Sequence, residues 1–136
     1  MPTTRRYLPV LSHREILVAE DDEEIRETIA SLLRHRGFQV TTAKDGAAAW
    51  QIFRKHPVSM VLMDLLMPEV DGRELARRIK NAYAETFILL ITGGDPPAAY
   101  SLYREGLVDK VLIKPCGIKE IVTIFHKAGQ SLKGSK

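Results

Sequence analysis

Residues 15–37 read Glu15-Ile-Leu-Val-Ala-Glu-Asp-Asp-Glu-Glu-Ile-Arg-Glu-Thr-Ile-Ala-Ser-Leu-Leu-Arg-His-Arg-Gly37. Ile16 to Ala19 is a continuous apolar run, too short for a helix. A strand of that kind is covered on both faces, as strands of parallel sheets are. Ile25, Ile29, Leu32 and Leu33 then recur at helical spacing, and Gly37 supplies a stop. A fully apolar strand feeding an amphipathic helix is the building unit of a parallel sheet, provided that the unit repeats.

It repeats from Glu15 to Ala128. Phe38 to Thr42 reads as a second strand, and Asp45 can cap a helix carrying Ala49, Trp50 and Phe53 that ends near His56-Pro57. Val58 to Met63 is a third strand, Asp71-Gly72 marks a turn, and Leu75 and Ile79 give a helical stripe. Phe87 to Ile91 is the most apolar strand. After Gly93-Gly94 breaks the chain, Asp95 as cap and a proline in the first turn start a helix that runs to about Glu105. Val111 to Ile113 is a fifth strand, and Ile118, Ile121, Val122 and Phe125 form the last stripe. There is no internal repeat of sequence. This alternation predicts an α/β fold, a doubly wound five-stranded parallel sheet with helices on both faces. Such folds bind ligands beyond the carboxyl ends of their strands, so the residues that follow each strand carry the functional question.

Composition narrows the classes. The chain has 136 residues, is 45% hydrophobic and 27% charged, and holds no apolar run near the ~20 residues of a membrane helix. Tyr7 to Leu11 is too short for a secretory segment and contains Pro9. The lone Cys116 cannot form an internal disulfide, which favours a reducing compartment and a cytoplasmic location. The net charge of +3 comes from the ends: residues 1–14 carry Arg5, Arg6 and Arg14 and residues 129–136 carry Lys133 and Lys136, neither segment with an acid, and the remaining 15 basic residues face 17 acidic ones. Residues 1–14 are therefore expected to be a basic N-terminal extension, 15–128 the folded domain, and 129–136 a flexible C-terminal tail. No basic face or aromatic stacking pattern points to nucleic acid.

Glu20, Asp21 and Asp22 follow the first strand, Asp64 the third, Thr92 the fourth, and Lys114-Pro115 the fifth. Carboxylates gathered at one sheet end repel one another and need a counter-ion. A hard divalent cation, Mg2+ or Mn2+, suits oxygen donors. A lysine and a hydroxyl reaching the same place suit a ligand with anionic oxygens of its own, and a phosphoryl group fits.

Ile16-Leu-Val-Ala-Glu-Asp-Asp-Glu-Glu-Ile-Arg26, Met63-Asp-Leu-Leu-Met-Pro-Glu-Val-Asp-Gly72, Thr92 and Lys114-Pro115 together resemble the response-regulator receiver domains of two-component signalling, over nearly the whole chain. The resemblance implies a flavodoxin-like (βα)5 domain with strand order 2-1-3-4-5. It implies that Asp64 accepts a phosphoryl group from a phosphohistidine of a sensor histidine kinase or phosphotransfer protein, or from a small phosphodonor. It makes Asp21 a direct metal ligand, Glu20 its acidic partner acting through water, and Asp64 and the carbonyl of Leu66 further ligands. The pair is set at Glu20-Asp21 by its spacing to Arg26, leaving Asp22 to begin the first helix. Lys114 then pairs with Asp64 at rest and with a phosphoryl oxygen afterwards, and Thr92 bonds another such oxygen. The Lys114–Pro115 bond is expected to be cis, aiming the lysine into the site. The task is signalling rather than enzymatic turnover: the domain promotes its own phosphorylation and dephosphorylation. A downstream protein would be read through the face of helix 4, strand 5 and helix 5, by a monomer or a phosphorylation-dependent dimer. No direct nucleic-acid or membrane partner is implied.

Each residue also has an ordinary structural reading. Asp21 or Asp22 could be a helix cap, Asp64 before Met67-Pro68 a turn residue, Thr92 a plain strand end, and Lys114 a solvated lysine. Only their joint placement points elsewhere. Departures from the family pattern are informative too. Val111 stands where an aromatic three residues before the lysine often swings inward, so no aromatic rotamer switch is expected. Gly93-Gly94 should make the following loop mobile. Cys116 replaces a common aromatic and reads as a small buried apolar residue. Tyr100 and Tyr103 could mark a partner surface, or pack one in and one out. His13, His35, His56 and His126 lack metal-ligand spacing. Three rivals remain. A phosphohydrolase with an aspartyl nucleophile would resemble Asp-x-Asp, whereas Asp64-Leu65-Leu66 lacks the second acid. A nucleotide or flavin binder would need a Gly-rich loop after the first strand. A receiver that never takes up phosphate would act as a constitutive docking module.

Overall fold

The computed structural model describes residues 13–134. In chain order the elements are β1 (Glu15–Ala19), α1 (Glu23–His35), β2 (Gln39–Ala43), α2 (Gly46–Lys55), β3 (Met60–Met63), α3 (Gly72–Ala82), β4 (Phe87–Thr92), α4 (Pro96–Arg104), β5 (Lys110–Ile113) and α5 (Ile118–Gly134). The strands are parallel in the order β2-β1-β3-β4-β5. This is the doubly wound topology expected, with α1 and α5 on one face and α2, α3 and α4 on the other.

The continuous apolar strands make sense once both cores are seen. Along β1, Leu17 and Ala19 enter the layer that holds Phe53, Leu75, Ile79 and Leu102, while Ile16 and Val18 enter the layer of Leu33, Ile121 and Phe125. Alternate side chains point to opposite faces, so a strand buried on both must be apolar throughout. The edge strand β2 is less covered and alternates with Thr41 and Thr42. Four helices start on aspartates whose carboxylates accept the first free amides: Asp22 from Ile25 N, Asp45 from Ala48 N, Asp71 from Glu74 N and Asp95 from Ala98 N. Asp71-Gly72 is thus the start of α3 rather than a free turn.

Two boundary expectations change. Residues 129–134, read as the beginning of a flexible tail, continue α5 as helix. A Cβ at Gly129 would lie 2.7 Å from the His13 carbonyl oxygen. The glycine lets the chain entering β1 pass against the helix, and Leu132 beyond it packs on the core. Arg14, counted with the basic extension, belongs to the fold. Its guanidinium donates to the carbonyls of Gly37 (3.0 Å) and Arg36 (3.3 Å) and lies 4.8 Å from the centre of the Phe38 ring. Arg5, Arg6, Tyr7 to Leu11 and Lys136 lie outside the described residues.

At the amino end of the sheet, Lys80 ties α3 to the neighbouring strand ends. Its ammonium donates to the Thr86 carbonyl (2.6 Å) and to Asp109 (2.7 Å), whose carboxylate also accepts from Ile88 N at 2.8 Å. Lys80→Met should keep the aliphatic stem and strand these acceptors, costing about 2 kcal/mol in urea unfolding. An unchanged midpoint would show the brace to be idle.

Candidate functional site

The register brings the strand ends together. Ala19 of β1 is level with Met63 of β3, so Glu20 and Asp64 leave the sheet side by side. Thr92 of β4 is level with Ile113 of β5, and Lys114 N donates to the Thr92 carbonyl at 3.0 Å. The Lys114–Pro115 peptide bond is cis, as expected. The lysine Nζ donates to Asp64 Oδ2 at 2.9 Å and lies 3.7 Å from Glu20 Oε1. One cation therefore faces two nearly buried carboxylates, with Glu20 4% and Asp64 8% exposed.

The remaining oxygens are held by backbone amides. Asp64 Oδ1 accepts from Leu66 N at 3.2 Å, and Glu20 Oε2 accepts from Asp22 N at 3.0 Å. Asp21 is exposed at the rim, its carboxyl close enough to that of Glu20 to affect its proton affinity. Leu66 follows Asp64 with its side chain 62% exposed. Thr92 is fully buried, and its hydroxyl accepts from Gly94 N at 3.3 Å. Glu20, Asp64 and Lys114 are thus in mutual reach, Asp21 and Leu66 border them, and the Thr92 hydroxyl is turned toward its own loop.

Burial pushes the Glu20 carboxyl above its ordinary value. The Asp22 amide and the Lys114 charge offset only part of that, and Asp64 and Asp21 add to the rise. Burial alone would lower the Lys114 ammonium, but its hydrogen bond and attraction to Asp64, with attraction to Glu20, hold it above its ordinary value. A carboxyl raised in the folded state makes the fold bind more protons than the unfolded chain, so this contribution to stability falls as pH rises above about 4.5. Glu20→Gln should therefore gain melting temperature relative to the parent as pH rises from 4.5 toward 7 without divalent metal. Parallel melting curves of the two across that range would contradict the assignment.

The excess of buried negative charge has the donor chemistry of a hard cation. Carboxylates at Glu20 and Asp64, an exposed carboxylate at Asp21 and the Leu66 carbonyl offer only oxygen, and the open rim leaves room for retained waters. Among the described residues no three acidic, histidine or cysteine side chains are grouped closely enough to hold a metal ion by themselves, so the Leu66 carbonyl and waters would have to complete the set. Mg2+ or Mn2+ fits such an open, oxygen-only set better than Zn2+ does.

Cys116 is half-buried, and burial together with Glu120 raises its thiol, which fits a packing role rather than a reactive one. Tyr100 and Tyr103 are both exposed, not one packed and one free. Val111 is buried in the core. Two contributors were not singled out as functional in the sequence. Arg26 served only as a spacing marker, yet it bonds the Glu20 carbonyl. Gly46 drew no reading in the sequence, yet it lies against Val70 in the loop that follows Asp64.

Comparison with known proteins bears on the family and the fold. Residues 16–126 match the family model described as the response regulator receiver domain. The response regulator receiver protein CpdR of Brucella abortus is 36% identical over 117 residues, covering 84% of this chain and 95% of that protein. Response regulator GtcR of Aneurinibacillus migulanus is 36% identical over 77 residues, 57% of this chain but only 32% of its own length. The crystal structure of a response regulator receiver domain protein from Clostridium thermocellum superposes with a TM-score of 0.83 at 28% identity, covering 88% of this chain and 96% of that one. No helix among the described residues is long and apolar enough to cross a membrane.

Proposed function

The chain belongs to the response regulator receiver domain family, whose general role is to accept a phosphoryl group in two-component signalling, and from that premise we propose that Asp64 is the acceptor, with Lys114, Thr92, Glu20, Asp21 and the Leu66 carbonyl completing the site. The observation that carries this reading is the 2.9 Å contact between Lys114 Nζ and Asp64 Oδ2 beside the buried Glu20 carboxylate.

Asp64 is oriented before any donor arrives, one oxygen held by Lys114 and the other by the Leu66 amide. A donor phosphohistidine, on a sensor kinase or phosphotransfer protein, places its phosphorus in line with an Asp64 oxygen. The P–N bond breaks as the P–O bond forms, and the electron pair leaves on the imidazole. Asp21, Asp64 and the Leu66 carbonyl, with Glu20 through water, would hold Mg2+ or Mn2+, which would offset charge on the transferring oxygens. Lys114 moves from Asp64 to a phosphoryl oxygen and neutralises it there. The Thr92 hydroxyl, now accepting from Gly94 N, turns to donate to another. Water attacking phosphorus along the same line restores the carboxylate, so the group is a signal and not a product.

The turn of Thr92 draws the Gly93-Gly94 segment with it and biases α4 and β5 between two arrangements. With Val111 buried, the change proceeds without an aromatic rotamer switch. Output passes to a protein partner over α4, β5 and α5, where Tyr100 and Tyr103 stand exposed, and not to nucleic acid directly; the domain acts as a monomer or as a dimer formed on phosphorylation. The domain in this reading spans residues 14–134, from Arg14 to the last turns of α5.

Incubation with acetyl phosphate and Mg2+, followed by intact mass, tests the reading. A single phosphoryl adduct that needs the metal and is cleaved by hydroxylamine is expected. No adduct under conditions where beryllofluoride also fails to bind would leave a docking module that never takes up phosphate.

A further inference from the structure

The acidic turn after β1 is held from three directions. Glu20 N donates to the Ala43 carbonyl at 3.1 Å, which anchors the turn to the sheet. Asp22 N donates to the Glu20 carboxylate at 3.0 Å, a contact inside the turn. Arg26 Nη1 donates to the Glu20 carbonyl oxygen at 3.0 Å, reaching back six residues from α1. Of these three bonds only the last is made by a side chain from outside the turn, and it holds the backbone, whereas Lys114, 3.7 Å from Glu20 Oε1, meets the carboxylate.

That arginine is not an ordinary solvated one. Its side chain is 13% exposed, although it lies on a helix whose Glu23, Glu24 and Glu27 are exposed and offer ion pairs. Its one such contact, Nε to Glu27, is long at 3.4 Å. Burying most of a guanidinium is costly unless its donors are used, and the donor that faces inward is used on a backbone carbonyl. The bond runs to the Glu20 carbonyl oxygen, so Arg26 reaches this residue through its backbone.

We propose that Arg26 is a positioning residue for the cation site: by fixing the Glu20 carbonyl it sets the turn so that the Glu20 and Asp21 carboxylates face the metal together. This rests on the metal-dependent reading of the site and adds a residue to it. Carbonyl and carboxylate of Glu20 share one short stretch of chain. Releasing the carbonyl frees the peptide plane between Glu20 and Asp21 to rotate, and both carboxylates lose their common direction. Metal affinity depends on such outer contacts because they remove the freedom that binding would otherwise have to remove.

The test is Mn2+ binding, followed by electron paramagnetic resonance of the free ion, in the full chain and three variants. Arg26→Met keeps the aliphatic stem and should weaken Mn2+ binding about tenfold. Arg26→Lys, whose ammonium can still donate to the carbonyl, should recover part of the loss. Glu27→Gln, which removes only the long ion pair, should bind as the parent does. Metal-free melting curves accompany each variant; if Arg26→Met does not fold, Arg26→Gln takes its place in the comparison. Parent-like affinity in the folded Arg26 variant would overturn the positioning role while leaving the site intact. Failure of the parent itself to bind Mn2+ would overturn both this role and the metal-dependent reading.

Discussion

Asp64→Asn abolishes phosphoryl uptake: with acetyl phosphate and Mg2+, the variant's intact mass should stay at that of the unmodified chain while the parent gains one adduct. The amide is nearly the same shape as the carboxylate, so the loop is expected to keep its course and Leu66 N its acceptor. What is lost is the nucleophile, together with the negative charge that Lys114 meets at 2.9 Å. Removing a nucleophile from a preorganised site costs far more than removing any one of its helpers, and a fall of at least about a thousandfold in rate is expected. The same exchange removes a charge that raises Glu20, so the variant should fold at least nearly as well as the parent. A folded Asp64→Asn that still took up phosphate would move the acceptor to another carboxylate and sink the assignment.

Gly46→Ala should damage the whole domain. A Cβ at this first residue of α2 would lie 1.7 Å from the Val70 carbonyl oxygen and 2.7 Å from the carbon bonded to it. Neither is the end of a flexible side chain, so the backbone must move. The Val70 segment lies between Asp64 and α3, where Gly72 N donates to the Leu65 carbonyl at 2.9 Å and a Cβ at Gly72 would meet the Asp64 carbonyl at 2.5 Å. The loop bearing the acceptor is therefore clamped by the start of α2 on one side and by its own return on the other. Relief of the overlap either parts α2 from that loop or shifts Asp64 away from Lys114. Overpacking against backbone of this kind is expected to cost about 3 kcal/mol or more, a drop of roughly 10 °C in melting temperature. Gly117→Ala is the matched control, since nothing lies within 4 Å of its Cβ direction. It should change stability by less than about 1 kcal/mol. If the two alanines melted alike, the clamp would be no constraint.

The order of elements and the identity of the converging groups were legible in the chain itself. Buried parallel strands must be apolar on both faces, so Ile16 to Ala19, Met60 to Met63 and Phe87 to Ile91 stand out from any helix pattern. A polar residue directly after each such run has to sit at the sheet's carboxyl edge, which is how Glu20, Asp64, Thr92 and Lys114 could be gathered before any coordinates. The caps were legible for a similar reason, because an aspartate before a helix answers a local need for acceptors.

What depended on contacts between distant segments could not be read that way. Nothing near Gly129 in the sequence announces the chain at His13 packed against it, and α5 runs past it to Gly134. Gly46 carries no local signal of its contact with Val70, and Arg26 none of its bond to the Glu20 carbonyl. Both tyrosines of α4 turned out exposed because the core beneath them is filled by Ala99 and Leu102. Local pattern determines which groups a strand end presents, since periodicity and capping act within a few residues. Which of them touch, how deeply each is buried and what holds them still is decided by packing across the sheet, where the partners are tens of residues apart.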